Sequence, residues 1–293
     1  MAIQPTIEEL PESEFCPGFI KITVLSSSPA GGAKSGGKMT SAASIKDTTS
    51  VIEKWFQDLV DRPCLLSTAD GGDSFSLVEA PGLSKGRTPQ VRQHLDKITT
   101  QLVELFGGRP QHVLLQMNSS SPAGIEAPSS SQSIFSFSVN PERVCKELSA
   151  PFVDHETLRT VSKQGKRLRL RLDPLIPVPD WRSCYEDYIR YFAWEKGVIH
   201  PKVFTLGSLR FAAAHYRILR AREGDLLKYV DFDKKGGGML PYRVPYGRRR
   251  DMYEFVVRLL RQHLPGVRIG LCNEPEEMRD ACEAQKRDCN CQL

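Results

Sequence analysis

The sequence lacks any long apolar stretch. Nowhere in its 293 residues does an apolar run approach the 18 residues that a membrane-spanning helix needs. The first ten residues contain no basic segment followed by an apolar one, so we expect no secretory signal and a cytoplasmic location without a membrane partner. A strong excess of charge is also missing, because 40 Lys and Arg nearly balance 35 Asp and Glu to leave +5. Net charge alone therefore does not require a nucleic-acid partner.

The composition is nevertheless that of a folded chain. Apolar residues make up 40% and charged residues 26%, which is enough to bury a sizeable core and excludes global disorder. The eight cysteines, without a secretory route, are expected to be reduced thiols, metal ligands or core residues rather than a disulfide framework.

Segments typical of strands alternate with helical patterns along the chain. The apolar patterns predict strands over 19–25, 64–67, 112–117, 134–139, 167–172, 203–206 and 267–271. They predict helices from residue 45, over 91–105, over 154–165, around Trp181 to Phe192 and around Met252 to Leu260. This alternation favours a parallel sheet with crossover helices, and the number of units favours a full or partial barrel. Chemistry would then lie in the loops after the strands, at 26–44, 68–80, 118–131, 140–153, 173–180 and after 206.

Five short segments beside the predicted strands occur in the same order as in a known protein family. They are Cys16-Pro-Gly-Phe19, Ala69-Asp-Gly-Gly-Asp-Ser74, Ser136-Phe-Ser-Val-Asn140, Arg171-Leu-Asp-Pro-Leu-Ile-Pro177 with Trp181, and Thr205-Leu-Gly-Ser-Leu-Arg-Phe211. Together they resemble the spore photoproduct lyase branch of the radical SAM superfamily, over roughly residues 15–272.

The resemblance implies an α/β fold, namely a partial (β/α) TIM-like barrel of the radical SAM type with a C-terminal α/β extension. The expected division is an N-terminal segment (1–18), the barrel (19–210) and the extension packed on it (211–293). The family implies a [4Fe-4S] cluster, S-adenosylmethionine as cofactor, and radical repair of a thymine photoproduct in DNA. DNA or a nucleoside is accordingly the expected ligand.

The loop after the first strand departs from the family. There the superfamily has C-x-x-x-C-x-x-C, whose thiolates hold three irons of the cluster, whereas this chain has Ser28, Gly32 and Ser35 at the three positions. Glycine offers no ligand atom and a serine hydroxyl is a poor substitute for sulfur. We therefore expect no metal at this motif and a catalytically impaired protein, or a pseudoenzyme that binds a nucleoside or nucleic acid. The alternative is an active radical SAM lyase with unconventional cluster ligation.

Ser138, Asn140 and Asp173 match the family at the S-adenosylmethionine pocket, whereas Asp70 is a shorter carboxylate where the family has Glu. The resemblance implies cofactor-binding roles for Asp70, Ser138, Asn140 and Asp173. No catalytic residue is assigned. Arg248, Arg249 and Arg250, beside Tyr242 and Tyr246, mix cations with aromatic rings and are candidates for nucleic-acid binding. The basic run from Lys163 to Arg171 could meet phosphates or form a solvated face.

Two further interpretations stay open. Residues 32–39 come within one residue of a phosphate-binding P-loop, with Lys38 in place but Met39 where the Mg²⁺-binding hydroxyl belongs. A degenerate P-loop protein is therefore a second alternative. Near the C-terminus, Cys272, Cys282, Cys289 and Cys291 could bind zinc, although their spacing is not a standard one.

Overall fold

The computed structural model describes residues 6–10, 19–23, 54, 65–67, 104, 112–117, 132–147, 152–194, 199–211, 216–217, 220, 242–285 and 288–290. The chain divides into two compact units. The first comprises Met1–Glu12 and Gly18–Ser136, with Leu293, and the second comprises Ser13–Pro17 and Phe137–Gln292.

The first unit contains four described strands: β1 (Thr6–Leu10), β2 (Phe19–Thr23), β3 (Leu65–Ser67) and β4 (His112–Met117). Strand β1 runs antiparallel to β2, and their register pairs Thr6 with Thr23 and Leu10 with Phe19. Strands β2, β3 and β4 are parallel neighbours. Parallel pairing of strands this far apart in sequence requires crossover connections, as the alternating pattern predicted.

The strands of the second unit form a sheet and a small ribbon. The sheet has the order β5–β6–β7–β10, with β5 (Ser133–Ser138, which includes the sequence boundary after Ser136), β6 (Arg167–Leu175), β7 (Val203–Ser208) and β10 (Arg268–Leu271). Strand β7 pairs in parallel with β6 on one side and with β10 on the other. The ribbon is an antiparallel pair, β8 (Arg210–Phe211) with β9 (Tyr242–Arg243).

Five helices are described in full within this unit. They are α1 (Glu142–Glu147), α2 (His155–Lys163), α3 (Trp181–Trp194), α4 (Tyr246–His263) and α5 (Glu276–Ala281). Helix α2 begins as predicted, because the Asp154 carboxylate accepts a hydrogen bond of 2.7 Å from the Thr157 backbone N–H. The chain leaves it through Gly165, whose φ of 71° is a conformation that glycine adopts without strain.

The two faces of β6 differ in chemistry because side chains alternate along a strand. Leu168, Leu170 and Leu172 point to one face and are fully buried. On the neighbouring strand Phe204, which pairs with Leu170, contacts Phe192 of α3 with ring centroids 5.8 Å apart. The helices therefore cover the leucine face, and the opposite face carries Arg167, Arg169, Arg171 and Asp173.

Aromatic residues of α3 complete the core. Trp181, Tyr185, Tyr188 and Phe192 recur at intervals of three and four residues, and all are buried, as the helical pattern predicted. The Trp181 ring meets Phe255 of α4 edge-on at 5.2 Å, so the same stripe joins α3 to α4.

The structure confirms the mixed α/β character and the parallel strand pairing. The predicted strands correspond to β2 to β7 and β10, with differences of a few residues at their ends. Strand β1, the two-residue strands β8 and β9, and helix α1 were not predicted; α1 lies inside the expected loop 140–153. The expected loops 26–44, 68–80 and 118–131 lie outside the described residues, as does most of both expected helices before residue 106.

Within the part of the chain that the structure describes, no helix is both long enough and apolar enough to cross a membrane.

Candidate functional site at the carboxyl ends of the strands

Polar side chains of the second unit gather where its parallel strands end. Asn140 follows β5, Asp173 lies near the end of β6, Arg210 follows β7 and Cys272 follows β10. The carboxyl ends of parallel strands meet at one edge of a sheet, where ligands bind in folds of this class. We call the group formed by these residues and their contacts the strand-end site.

Asp173 is the centre of this site. Its carboxylate accepts a bond of 2.7 Å from Arg171 and bonds of 2.8 and 2.9 Å from the two terminal nitrogens of Arg210. The Asp173 side chain is 5% exposed. Burial alone would raise its pKa, but the guanidinium groups of Arg210 and Arg171 outweigh burial and hold the pKa well below its usual range. Asp173 is therefore ionised, and its interaction raises the pKa of Arg210.

A glycine makes room for this carboxylate. Gly207 on β7 faces Asp173, and a Cβ atom built at residue 207 would overlap the carboxyl group. Arg210 also donates a bond of 3.3 Å to the Cys272 sulfur, which connects the end of β6 to the end of β10. The ion pair between Asp173 and Arg210 thus depends on a residue without a side chain at position 207 of β7, the strand that leads to Arg210.

Asn140 is held by two contacts from neighbouring segments. Its amide nitrogen donates to the Pro174 carbonyl oxygen at 3.3 Å, and its carbonyl oxygen accepts from the Tyr185 hydroxyl at 2.9 Å. The Tyr185 hydroxyl in turn accepts from the Ile176 backbone N–H at 3.0 Å. An asparagine amide has two N–H donors and two acceptor lone pairs. The two contacts orient the Asn140 amide, and they occupy one of its N–H donors and one of its acceptor lone pairs.

A second buried ion cluster lies just beyond β10. The Glu274 carboxylate is fully buried; Arg243 lies 2.8 Å from it, Arg249 lies 3.1 Å from it, and the Tyr253 hydroxyl donates to it at 2.9 Å. Arg279 donates to the Glu274 backbone carbonyl. Burial and the negative charge of Glu274 raise the pKa of Tyr253 well above its usual value, which keeps the phenol protonated as a donor. This cluster fixes the first turn of α4 beside the strand-end site.

The predicted site residues fall into three groups. Ser138, Asn140 and Asp173 belong to the second unit at or near strand ends, with Ser138 half-buried. Arg248 and Arg250 are exposed on the first turn of α4, whereas Arg249 is buried and donates to the Val244 carbonyl. Outside the described residues lie Asp70, Lys38 and the motif positions Ser28, Gly32 and Ser35.

The basic face of β6 is more buried than a solvated run of charge would be. Arg169 is 2% exposed and donates to the Asn290 backbone carbonyl at 2.6 Å, and Lys166 is also buried. Burial lowers the pKa of Lys166 to about 8. Sequence inspection noted the run but missed that Arg171 and Arg210 pair with Asp173. The alternation of basic and apolar residues in 167–172 was the available signal, since one face of a core strand must point away from the helices.

The described C-terminal cysteines do not form a metal site. Cys272 contacts Arg210 and Cys289, whereas Cys282 is buried near Glu254. Among the residues that the structure describes, no group of three or more His, Cys, Asp or Glu side chains is arranged to hold a metal ion. The zinc interpretation for Cys272, Cys282 and Cys289 therefore has no geometric support in this part of the chain.

Comparison with known proteins finds no matching family model and no matching curated protein. Solved structures do match. A cysteine-to-alanine variant of spore photoproduct lyase with dinucleoside spore photoproduct superposes with a TM-score of 0.59 at 15% identity, over 77% of this chain and 66% of that one. Another variant, with bound AdoMet and dinucleoside spore photoproduct, matches with the same TM-score at 14% identity. A tyrosine-to-phenylalanine variant matches with a TM-score of 0.58.

The chain thus spans 66% of the length of the solved structures that it matches, just under two thirds. At 14–16% identity the likeness concerns the fold and not the chemistry. Over 77% of its length this chain has a fold similar to that of spore photoproduct lyase, which agrees with the resemblance of the strand-end motifs.

Proposed function

We propose that this chain is a nucleic-acid-binding protein on a spore photoproduct lyase-like fold that has lost the iron–sulfur cluster and with it the radical chemistry. The proposal includes a partial barrel and the division into residues 1–18, 19–210 and 211–293. A nucleotide unit of the nucleic acid would bind at the strand-end site.

The loss of the cluster is proposed from the chemistry of the available donors. Three thiolates are required to hold three irons and leave the fourth open for S-adenosylmethionine. Ser28, Gly32 and Ser35 supply two hydroxyls and a hydrogen at the corresponding positions. These residues do not fit the cluster, so no electron source for cleavage of S-adenosylmethionine is proposed.

Asn140 supports recognition of a nucleobase. Its amide is oriented by Tyr185 and Pro174 and has one further N–H and one further lone pair. An oriented amide offers a donor and an acceptor together, which matches the edge of a base. The solved neighbours that contain a dinucleoside spore photoproduct agree with a ligand of this class. Asp173, whose oxygens hold Arg171 and Arg210, is proposed to position these cations rather than to contact the ligand directly.

The first turn of α4 is the observation on which the proposal mainly depends. It contains Arg248, Arg249 and Arg250 and no acidic residue, so its side chains and the positive end of the helix dipole both favour an anion. Arg249 pairs with Glu274, which follows β10, and this fixes the turn beside the strand-end site. The exposed Arg248 and Arg250 are then suited to contact phosphates of a strand whose base enters that site.

Binding of a labelled single-stranded thymidine oligonucleotide, followed by fluorescence anisotropy over a series of salt concentrations, tests this role. Each lost phosphate contact reduces the slope of log K against log salt by about 1, so R248A/R250A should reduce it by about 2. The matched control is R258A/R261A, which removes two exposed arginines from the same helix beyond its first turns. Binding that does not depend on salt, or equal losses in both double variants, would refute the proposed interface.

The cluster is tested separately by anaerobic reconstitution with iron and sulfide. We expect no stoichiometric iron and no 5′-deoxyadenosine after addition of S-adenosylmethionine and a reductant. About four irons per chain would instead establish a bound cluster and favour the alternative of an active lyase with unconventional ligation.

A further inference from the structure

A short C-terminal segment, residues 288–290, lies directly against β10 and β6. The Asn290 carbonyl accepts from the buried Arg169 at 2.6 Å, and Asp288 lies 3.8 Å from Arg268. Gly270 in the middle of β10 permits this approach, because a Cβ atom there would overlap the backbone of residues 288 and 289. The segment therefore covers the basic face of the sheet at close range.

Two cysteines meet where this segment contacts the strand end. Cys272 is the first residue after β10, and its backbone N–H donates to the Leu206 carbonyl at 2.7 Å, which fixes its position. Cys289 is 4% exposed, and the interaction with its side chain is the largest contribution to the raised pKa of the Cys272 thiol, so the two side chains are neighbours. The Arg210 guanidinium donates to the Cys272 sulfur at 3.3 Å.

We propose that Cys272 and Cys289 are a redox pair whose disulfide fastens residues 288–290 to the end of β10. A disulfide needs Cα atoms roughly 4.4–6.8 Å apart and sulfurs that face each other. The close backbone approach at Gly270 places Cys289 beside β10, two residues along the strand from Cys272, and the interaction between the two side chains makes the thiols neighbours. This inference goes beyond the proposed function and does not require it.

The oxidant would be a low-molecular-weight disulfide, such as oxidised glutathione. One thiolate attacks this disulfide, forms a mixed disulfide and releases one small thiol; the second thiolate then displaces the other small thiol. Two protein thiols and one small disulfide thus become one protein disulfide and two small thiols. The hydrogen bond to Cys289 and burial raise the pKa of Cys272, although Arg210 favours its thiolate. Formation should therefore become faster as pH rises through the range in which the thiol is still protonated.

The other described cysteines are placed for different roles. Burial raises the pKa of Cys282 to about 12 and that of Cys145 to about 11, so both thiols stay protonated at neutral pH. The Cys145 thiol donates to the Asn140 backbone carbonyl oxygen, and Cys184 lies 3.8 Å from an Arg143 nitrogen. The pair of Cys272 and Cys289 is thus distinguished by contact between two thiols.

Peptide mapping of the oxidised full-length chain tests the pairing. Trypsin places Cys272 in the peptide 269–279, Cys282 in 280–286, and Cys289 with Cys291 in 288–293. The experiment therefore uses C291S, treated with oxidised glutathione at pH 8.5 and then alkylated. We expect peptides 269–279 and 288–293 to be linked, with a mass about 2 Da below the sum of the reduced peptides because two hydrogens are lost.

Two controls make the outcome decisive. C282S/C291S should form the same link, whereas C289S/C291S should lose it and retain its fold, as measured by circular dichroism. Native proteolysis gives a second measurement, since cleavage after Arg287 should release residues 288–293 from the reduced chain but not from the oxidised one. Absence of the link in folded C291S, or a link from Cys289 to another cysteine, would overturn the proposal.

Discussion

Replacing Asp173 by Asn removes the carboxylate that pairs with Arg171 and Arg210, and no other carboxylate among the described residues lies within hydrogen-bonding distance of either arginine. The Asp173 side chain is 5% exposed, and those of Arg171 and Arg210 are 16% and 17% exposed. The substitution keeps the shape of the side chain but leaves two largely buried cations without a counter-ion. Breaking a buried ion pair in this way costs about 3–5 kcal/mol, whereas a whole domain is stable by only about 5–15 kcal/mol. We expect a comparable loss of unfolding free energy in the second unit.

An exposed pair provides the matched control. Arg182 donates bonds of 2.6 and 2.7 Å to Asp251, but these side chains are 52% and 42% exposed. Solvent and salt screen such a pair, so D251N should cost no more than about 1 kcal/mol although it breaks equally short bonds. The comparison separates the effect of burial from the effect of hydrogen-bond length.

Urea unfolding followed by tryptophan fluorescence measures both effects. A W55F background confines the signal to Trp181 and Trp194, which belong to the second unit. R210M provides a double-mutant cycle, because D173N should cost less by at least about 1 kcal/mol once Arg210 no longer needs a counter-ion. The reasoning is refuted if D173N and D251N lower the unfolding free energy by the same amount. It is also refuted if the effects of D173N and R210M on the unfolding free energy are additive.

Two further predictions follow from groups buried near the same site. The folded pKa of Asp173 is held below its ordinary value of 3.8, so its stabilising contribution is complete above that value and decreases as pH falls below it. Between pH 4 and pH 2.5 the unfolding free energy of the parent chain should therefore fall more steeply than that of D173N, by up to about 1.4 kcal/mol per pH unit. Urea titrations at each pH measure both slopes, and identical slopes would contradict the prediction. Tyr185 and Tyr188 form the second comparison. Y185F removes the bonds to Ile176 and Asn140 and should cost about 1–3 kcal/mol. Y188F should cost almost nothing, because the buried Tyr188 hydroxyl has no hydrogen-bond partner among the residues that the structure describes. Equal midpoints for the two variants in urea unfolding would show that the Tyr185 contacts contribute little.

Much of the secondary structure was predictable from local patterns. His112–Met117 is the strand that its apolar run predicted. Asp154 caps α2, which begins at the next residue. Strand β1 (Thr6–Leu10) was missed because Thr-Ile-Glu-Glu-Leu has no regular alternation; it pairs with the apolar β2. Helix α1 was missed because six residues are fewer than two turns, too short to show a helical period.

The strand-end site was predictable in part. The resemblance identified Asn140 and Asp173, and both lie where parallel strands end. Their partners could not be inferred, because Arg210 lies 37 residues from Asp173 and Tyr185 lies 45 residues from Asn140. Arg249 looked like its two neighbours in sequence, and only the packing of α4 turns it toward Glu274 while Arg248 and Arg250 face solvent. The roles of Ser28, Gly32 and Ser35 stay predictions, since they lie outside the described residues.

The sequence by itself determined the α/β class, the positions of most of the strands, and the chemistry available at their ends. Those properties depend on the spacing and type of residues over a few helical turns or a few strand residues, so they can be inferred from short stretches of the sequence. Tertiary structure alone decided which charges neutralise each other, which arginine is buried, and that two thiols 17 positions apart come into contact. Such contacts depend on how distant segments return to one another, because the free energy of a buried charge or thiol is set by its neighbours in space.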